Sequence, residues 1–171
     1  MICHTDEKYD VVIGVDPDAE KSGVAYLEVQ SRKLEVANLD FPHLLDYLCH
    51  TYKLAKERNA QVIVVVEAGW MVKKSNYHQM QGHRAEKIAK DVGRNHETGR
   101  KIAEMCRYWD IPVLEHYPLK KMWKGKDGKI TMDELSFFTG LMGRTNQDTR
   151  DAALLAWEFA GLPICIKAGN C

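Results

Sequence analysis

Asp10-Val11-Val12-Ile13-Gly14-Val15-Asp16-Pro17 is the stretch on which the fold turns. Val11, Val12, Ile13 and Val15 form a β-branched run that ends in a Gly/Pro-rich segment, so residues 10–16 predict a strand. That strand carries a carboxylate, Asp16, at its C-terminal end. Gln61–Glu67 repeats the pattern: Val62–Val66 is apolar throughout, as in strands buried on both faces, and Glu67 follows it. Between them, Gly23–Gln30 and Lys33–Leu39 read as two more strands joined at Ser31-Arg32.

The helices follow from their caps and periods. Asp40 is a candidate N-cap for a helix over about 42–58, with Pro42 in its first turn. Gly99–Asp110 places Ile102, Met105, Cys106 and Trp109 at i, i+3, i+4 and i+7, the spacing of one helix face. Pro112–His116 is a further strand, and Lys120–Lys129 a basic loop with Gly125 and Gly128. Thr131-Met132-Asp133-Glu134 is a capping box that opens a helix to about Leu141. A last helix covers about Gln147–Ala160, ended by Gly161 with Pro163 beyond. Residues 68–98 hold three His, many Lys/Arg and weak periodicity; a loop and a short helix are expected there. The order predicts one α/β domain over residues 1–171: an antiparallel three-strand meander plus parallel strands, with helices on both faces.

Composition narrows the class. The chain has 171 residues, 45% apolar and 28% charged, a globular balance that argues against disorder and disulfide scaffolds. Its longest apolar run is far short of the ~20 residues a membrane span requires. The first residues show neither a basic n-region nor an apolar h-region, so no secretory signal and a cytoplasmic location are expected. Five scattered cysteines, with no CxxC, read as reduced thiols. Net charge is zero, but residues 71–130 carry 14 Lys/Arg against 7 Asp/Glu. That is either a phosphate-binding footprint or a set of solvated faces.

The acids point to chemistry. Asp16 and Glu67 leave strand ends, and Asp148 and Asp151 share one face of the last helix, beside the apolar Ala152–Trp157. Carboxylates beside a core are costly unless paired or bound to a metal. Ligand sites in α/β sheets lie at strand carboxyl ends. Four hard oxygen donors suit Mg²⁺, which works beside phosphates. Each acid also has a plain structural account: Asp16 before Pro17 as a turn, and Asp148 and Asp151 at the positive end of a helix dipole. Glu67 has the weakest such account.

At these residues the chain resembles the RuvC family of Holliday-junction resolvases, within the ribonuclease H-like superfamily. The resemblance rests on Val12-Ile13-Gly14-Val15-Asp16-Pro17 with Gly23, on Val65-Val66-Glu67, and on Asp148-Thr149-Arg150-Asp151-Ala152-Ala153, in that order over about 150 residues. Asp18 stands where the family usually has Gly. The resemblance implies Mg²⁺-dependent hydrolysis of phosphodiester bonds, with Mn²⁺ as a substitute, in DNA that is expected to be branched. Two ions about 4 Å apart would be held by Asp16, Glu67, Asp148 and Asp151. Lys120, Lys121, Lys124 and Lys126, with Lys73 and Lys74, would hold phosphates, and Trp70 would stack on a base. Homodimers that cut paired sites are implied as well. The readings set against this are a non-catalytic ribonuclease H-like module that binds nucleic acid or protein, and an actin/sugar-kinase-like ATPase. The ATPase needs two lobes, more chain than 171 residues supply.

Overall fold

Alternation along β1 sorts its residues onto two sides of a sheet. Val11, Ile13 and Val15 face one way, and Val12 faces the other. In the computed structural model, which describes residues 8–72 and 82–166, β1 (Val11–Asp16) sits at the centre of a five-stranded sheet. The others are β2 (Ser22–Glu28), β3 (Lys33–Leu39), β4 (Val62–Glu67) and β5 (Val113–His116), in the order β3-β2-β1-β4-β5. β1 pairs antiparallel with β2 and β2 with β3, while β4 runs parallel to β1 and β5 to β4. The expected meander plus parallel strands is therefore the sheet that forms.

Helices cover both faces. On one, α1 (Phe41–Glu57) and α2 (His83–Tyr108) set Leu44, Leu48, Ile102 and Cys106 against Ile13, Val15, Val64 and Val66. α1 starts where Asp40 predicts, its side chain accepting from the His43 N–H. On the other face, α4 (Gln147–Phe159) buries Ala152–Trp157 against Val12, Ala25, Leu27 and Val65. α3 (Met132–Thr139) adds Leu135 to the same side and opens with the Thr131–Glu134 capping box.

Two expectations are corrected. Residues 83–98 are not a loop with a short helix; they are the first half of α2, a helix of 26 residues. Its first three turns are mostly exposed, so no broad apolar stripe marks them. Strong helix formers hold them instead: Ala85, Glu86, Lys87, Ala89 and Lys90. The second correction concerns sulfur. Cys49 and Cys106 are free thiols, but Cys165 is disulfide-bonded. Cys3 and Cys171, like Lys73, Lys74 and His78, lie outside the described residues. Among the described residues no helix is long and apolar enough to cross a membrane.

The feature that places the acids is the approach of α4 to the sheet. A Cβ on Gly23 would lie 2.1 Å from the Asp148 carbonyl oxygen, and one on Gly14 would lie 2.2 Å from that of Ala152. Helix backbone thus rests directly on strand backbone at both glycines. Gly23 is also the residue paired with Asp16 across β1 and β2. Gly23→Ala is expected to lower stability in urea by about 1–3 kcal/mol, the usual range for overpacking. Gly93→Ala, on exposed helix with nothing within 4 Å of the new methyl, is expected to raise it by about 0.5–1 kcal/mol.

Candidate metal and phosphodiester site

Parallel pairing of β1 with β4 brings two acids together. Val15 is in register with Val66, so Asp16 and Glu67 follow as neighbours, with strands about 4.8 Å apart. Glu67 is held in register with His116 on β5. From the opposite face, the first turns of α4 bring Asp148 and Asp151 over the same end of β1. The helix starts there because the Asn146 side chain accepts from the Thr149 N–H. Asp151 is buried; Asp16, Glu67 and Asp148 are partly so.

Crowded carboxylates resist ionisation. Burial, and then the charges of Glu67 and Asp151, push the Asp16 carboxyl well above the usual range. Burial followed by the Asp151 charge pushes Glu67 up to about 7. Asp148 is raised by burial and by Asp18. All four sequence-derived acids therefore share one electrostatic site.

The residue that compensates them went unmarked in the sequence. Lys129 Nζ lies 2.7 Å from Asp151 Oδ2 and lowers the pKa of Asp16, Glu67 and Asp148. Burial alone would lower the Lys129 pKa; the hydrogen bond and charge of Asp151, then Asp16 and Glu67, outweigh it and raise it. Its other oxygen, Asp151 Oδ1, accepts from Gln147 Nε2 at 2.7 Å. Gln147 and Arg150 also both donate to the Ile130 carbonyl, tying the Lys129 loop to α4. Only the position of Lys129 at the end of a Lys/Gly-rich loop hinted at this in the sequence.

Glu67 and Asp151 line an open cleft whose wall also carries Lys120, Lys121 and Lys129. Lys124 and Lys126 are exposed on the same loop and do not line the cleft. The loop is pinned where the Lys124 N–H donates to both Glu134 oxygens, at 3.1 and 3.3 Å. Trp70 is half-buried. The Arg100 guanidinium lies 5.4 Å above its ring, and His96 meets it edge-on at 6.1 Å.

The donor set fits a hard divalent cation: carboxylate oxygens, buried together and short of positive charge. Among the described residues, however, no three His, Cys, Asp or Glu side chains converge closely enough to hold an ion as they lie. Lys129 occupies that role toward Asp151. Asp16, Glu67, Asp148 and Asp151 are the residues that would hold such an ion.

No family model matches the chain. No curated protein matches it. Among solved structures, Thermus thermophilus RuvC in complex with a Holliday junction substrate is similar over 86% of this chain and 91% of that one. The identity is 17% and the TM-score 0.48. Thermus thermophilus RuvC alone covers 88% and 96%, at 15% identity and a TM-score of 0.43. Fowlpox virus resolvase with Holliday junction DNA covers 88% and 97%, at 13% and 0.41. At these values the likeness carries no argument about chemistry.

The raised Glu67 gives a pH signature. Its proton is kept to about pH 7 in the folded protein and lost near 4.5 in the unfolded chain. Its contribution to stability is therefore full below pH 4.5 and lost as pH rises through 7. Glu67→Gln is expected to raise the thermal midpoint of metal-free protein at pH 8 and to change it little at pH 4. Lys129→Met is expected to lower the midpoint at pH 8, with a smaller loss at pH 5. Differential scanning calorimetry across pH reads both.

Proposed function

We propose that this chain is a single-domain, divalent-metal-dependent endonuclease that hydrolyses phosphodiester bonds, with branched DNA of the Holliday-junction type as its preferred substrate. The observation that carries the reading is the group of Asp16, Glu67, Asp148 and Asp151 around Lys129, at the carboxyl ends of β1 and β4 beside a lysine-walled cleft.

Mg²⁺, or Mn²⁺ in its place, would supply an activated water and charge stabilisation at the leaving oxygen. Asp16, which feels the charges of Glu67, Asp151 and Asp148 together, would be the ligand shared within the site. Glu67 and Asp151 would each be a ligand, and Asp148 would be a further ligand or orient water. Lys120 and Lys121 hold phosphates in the cleft, with Lys124 and Lys126 along the loop and Lys73 and Lys74 beyond the β4 end adding to a salt-dependent grip. Trp70 would stack on a base by giving up its contact with Arg100. Cutting two strands symmetrically calls for a homodimer, which is part of the proposal.

The Lys129–Asp151 hydrogen bond favours one other reading. A module that binds nucleic acid without cutting it could keep the lysine as a permanent counter-ion. Cleavage separates the two. Labelled four-way junction, flap, linear duplex and RNA–DNA hybrid are each incubated with Mg²⁺, Mn²⁺ or EDTA. Paired, metal-dependent nicks in the junction are expected, with activity lowered at least about 10³-fold by Asp16→Asn, as for loss of essential transition-state stabilisation. Binding without cleavage, unaltered by Asp16→Asn, supports the non-catalytic module. Cutting of another substrate keeps the site and discards the junction preference.

A further inference from the structure

Helix α2 touches both loops that leave the carboxylate-bearing strands. After β1 the chain runs Pro17-Asp18-Ala19-Glu20, and after β4 it runs Ala68-Gly69-Trp70. Residues 95–100 of α2 meet the two loops at once. The Asn95 side chain pairs in both senses with the first: its Oδ1 accepts the Ala19 N–H at 2.9 Å, and its Nδ2 donates to Asp18 Oδ2 at 3.1 Å. A Cβ on Gly99 would lie 3.0 Å from Pro17 and 2.5 Å from the Trp70 ring, so both loops close on this one glycine. On the second loop, Gly69 faces His96, and Arg100 lies over Trp70.

Asp18 is fully committed in this arrangement. Its Oδ1 accepts the Glu20 N–H at 2.8 Å and the Lys21 N–H at 3.3 Å, which closes the turn. Buried Ser22 accepts the Asp18 N–H and donates back to its carbonyl. With Oδ2 given to Asn95, both oxygens of this fifth acid are engaged in holding the loop. The Arg94–Glu20 ion pair beside it is exposed and contributes little.

We propose that Asn95 is a positioning residue. Its amide fixes the course of the chain two residues beyond Asp16, while the Trp70 contacts fix the chain beyond Glu67, so α2 steadies both acids at the strand ends that the β1–β4 register sets side by side. The proposal rests on the metal-site reading above. Only a side chain with one donor and one acceptor satisfies both partners; outer partners of this kind commonly change metal affinity or activity 10–100-fold.

Four proteins test it: wild type, Asn95→Ala, Asn95→Asp, and the double exchange Asp18→Asn/Asn95→Asp. The exchange keeps each hydrogen bond, with the amide and carboxylate trading places, whereas Asn95→Asp alone sets two carboxylates face to face. The first readout is the Mn²⁺ concentration that gives half the maximal rise in thermal midpoint. The second is kcat and KM on the junction. Asn95→Ala is expected to need about 10-fold more Mn²⁺ and to lower kcat about 10-fold with KM unchanged. Asn95→Asp should be worse, and the exchange should return both readouts to within about 3-fold of wild type. Arg94→Ala should match wild type throughout. A folded Asn95→Ala with wild-type Mn²⁺ response overturns the proposal, as does an exchange no better than Asn95→Asp. A wild type whose midpoint ignores Mn²⁺ overturns the metal-site reading, and this proposal with it.

Discussion

Helix α4 lies against the central strands with no side chain between them at Gly14 and Gly23. The rest of the site depends on that contact. A helix packed on a sheet through ordinary side chains would stand several ångströms further off. Here the helix start is pressed onto the end of β1, and Asp148 and Asp151 arrive over Asp16. The parallel register of β4 brings Glu67 alongside. Small residues at two positions, together with that register, gather four acids distant in sequence into one electrostatic group.

The electrostatic consequence follows from the geometry. Burial and mutual repulsion raise three of the acids, and the Lys129 ammonium is the nearest compensation. Such an arrangement costs folding stability at neutral pH and would be poor design for a purely structural core. It becomes sensible when a cation of higher charge is the intended occupant. Under the proposed metal-site reading, Lys129 would be the counter-ion of the metal-free acids and a positive charge near the phosphate in the loaded site. The cleft beside Glu67 is walled by Lys120, Lys121 and Lys129, where the proposed phosphate would sit.

Much of this was legible in the residues. β-branched runs ending in Asp16 and Glu67 fixed two central strands, because a buried strand needs only local composition to declare itself. Asp40, Thr131 and Gly161 marked helix ends through local hydrogen bonds and backbone conformation. The first half of α2 was not legible, since exposed helix leaves no apolar period to read. Lys129 and Asn95 were hidden for another reason. Their roles come from partners 22 and 76 residues away, and no local pattern distinguishes such a lysine or asparagine from a solvated one. Trp70 lies between these cases: its place after Glu67 was visible, its packing on Gly99 was not.

The central proposal is that the four acids would hold a cation in place of the Lys129 ammonium. A crystal structure of the protein soaked in Mn²⁺, with anomalous diffraction to locate the metal, tests it most directly. The account predicts Mn²⁺ at ordinary metal–oxygen distances from Asp16 and from Glu67 or Asp151, with the Lys129–Asp151 hydrogen bond broken. Carboxylates free of Mn²⁺, with Lys129 still bound to Asp151, would contradict it.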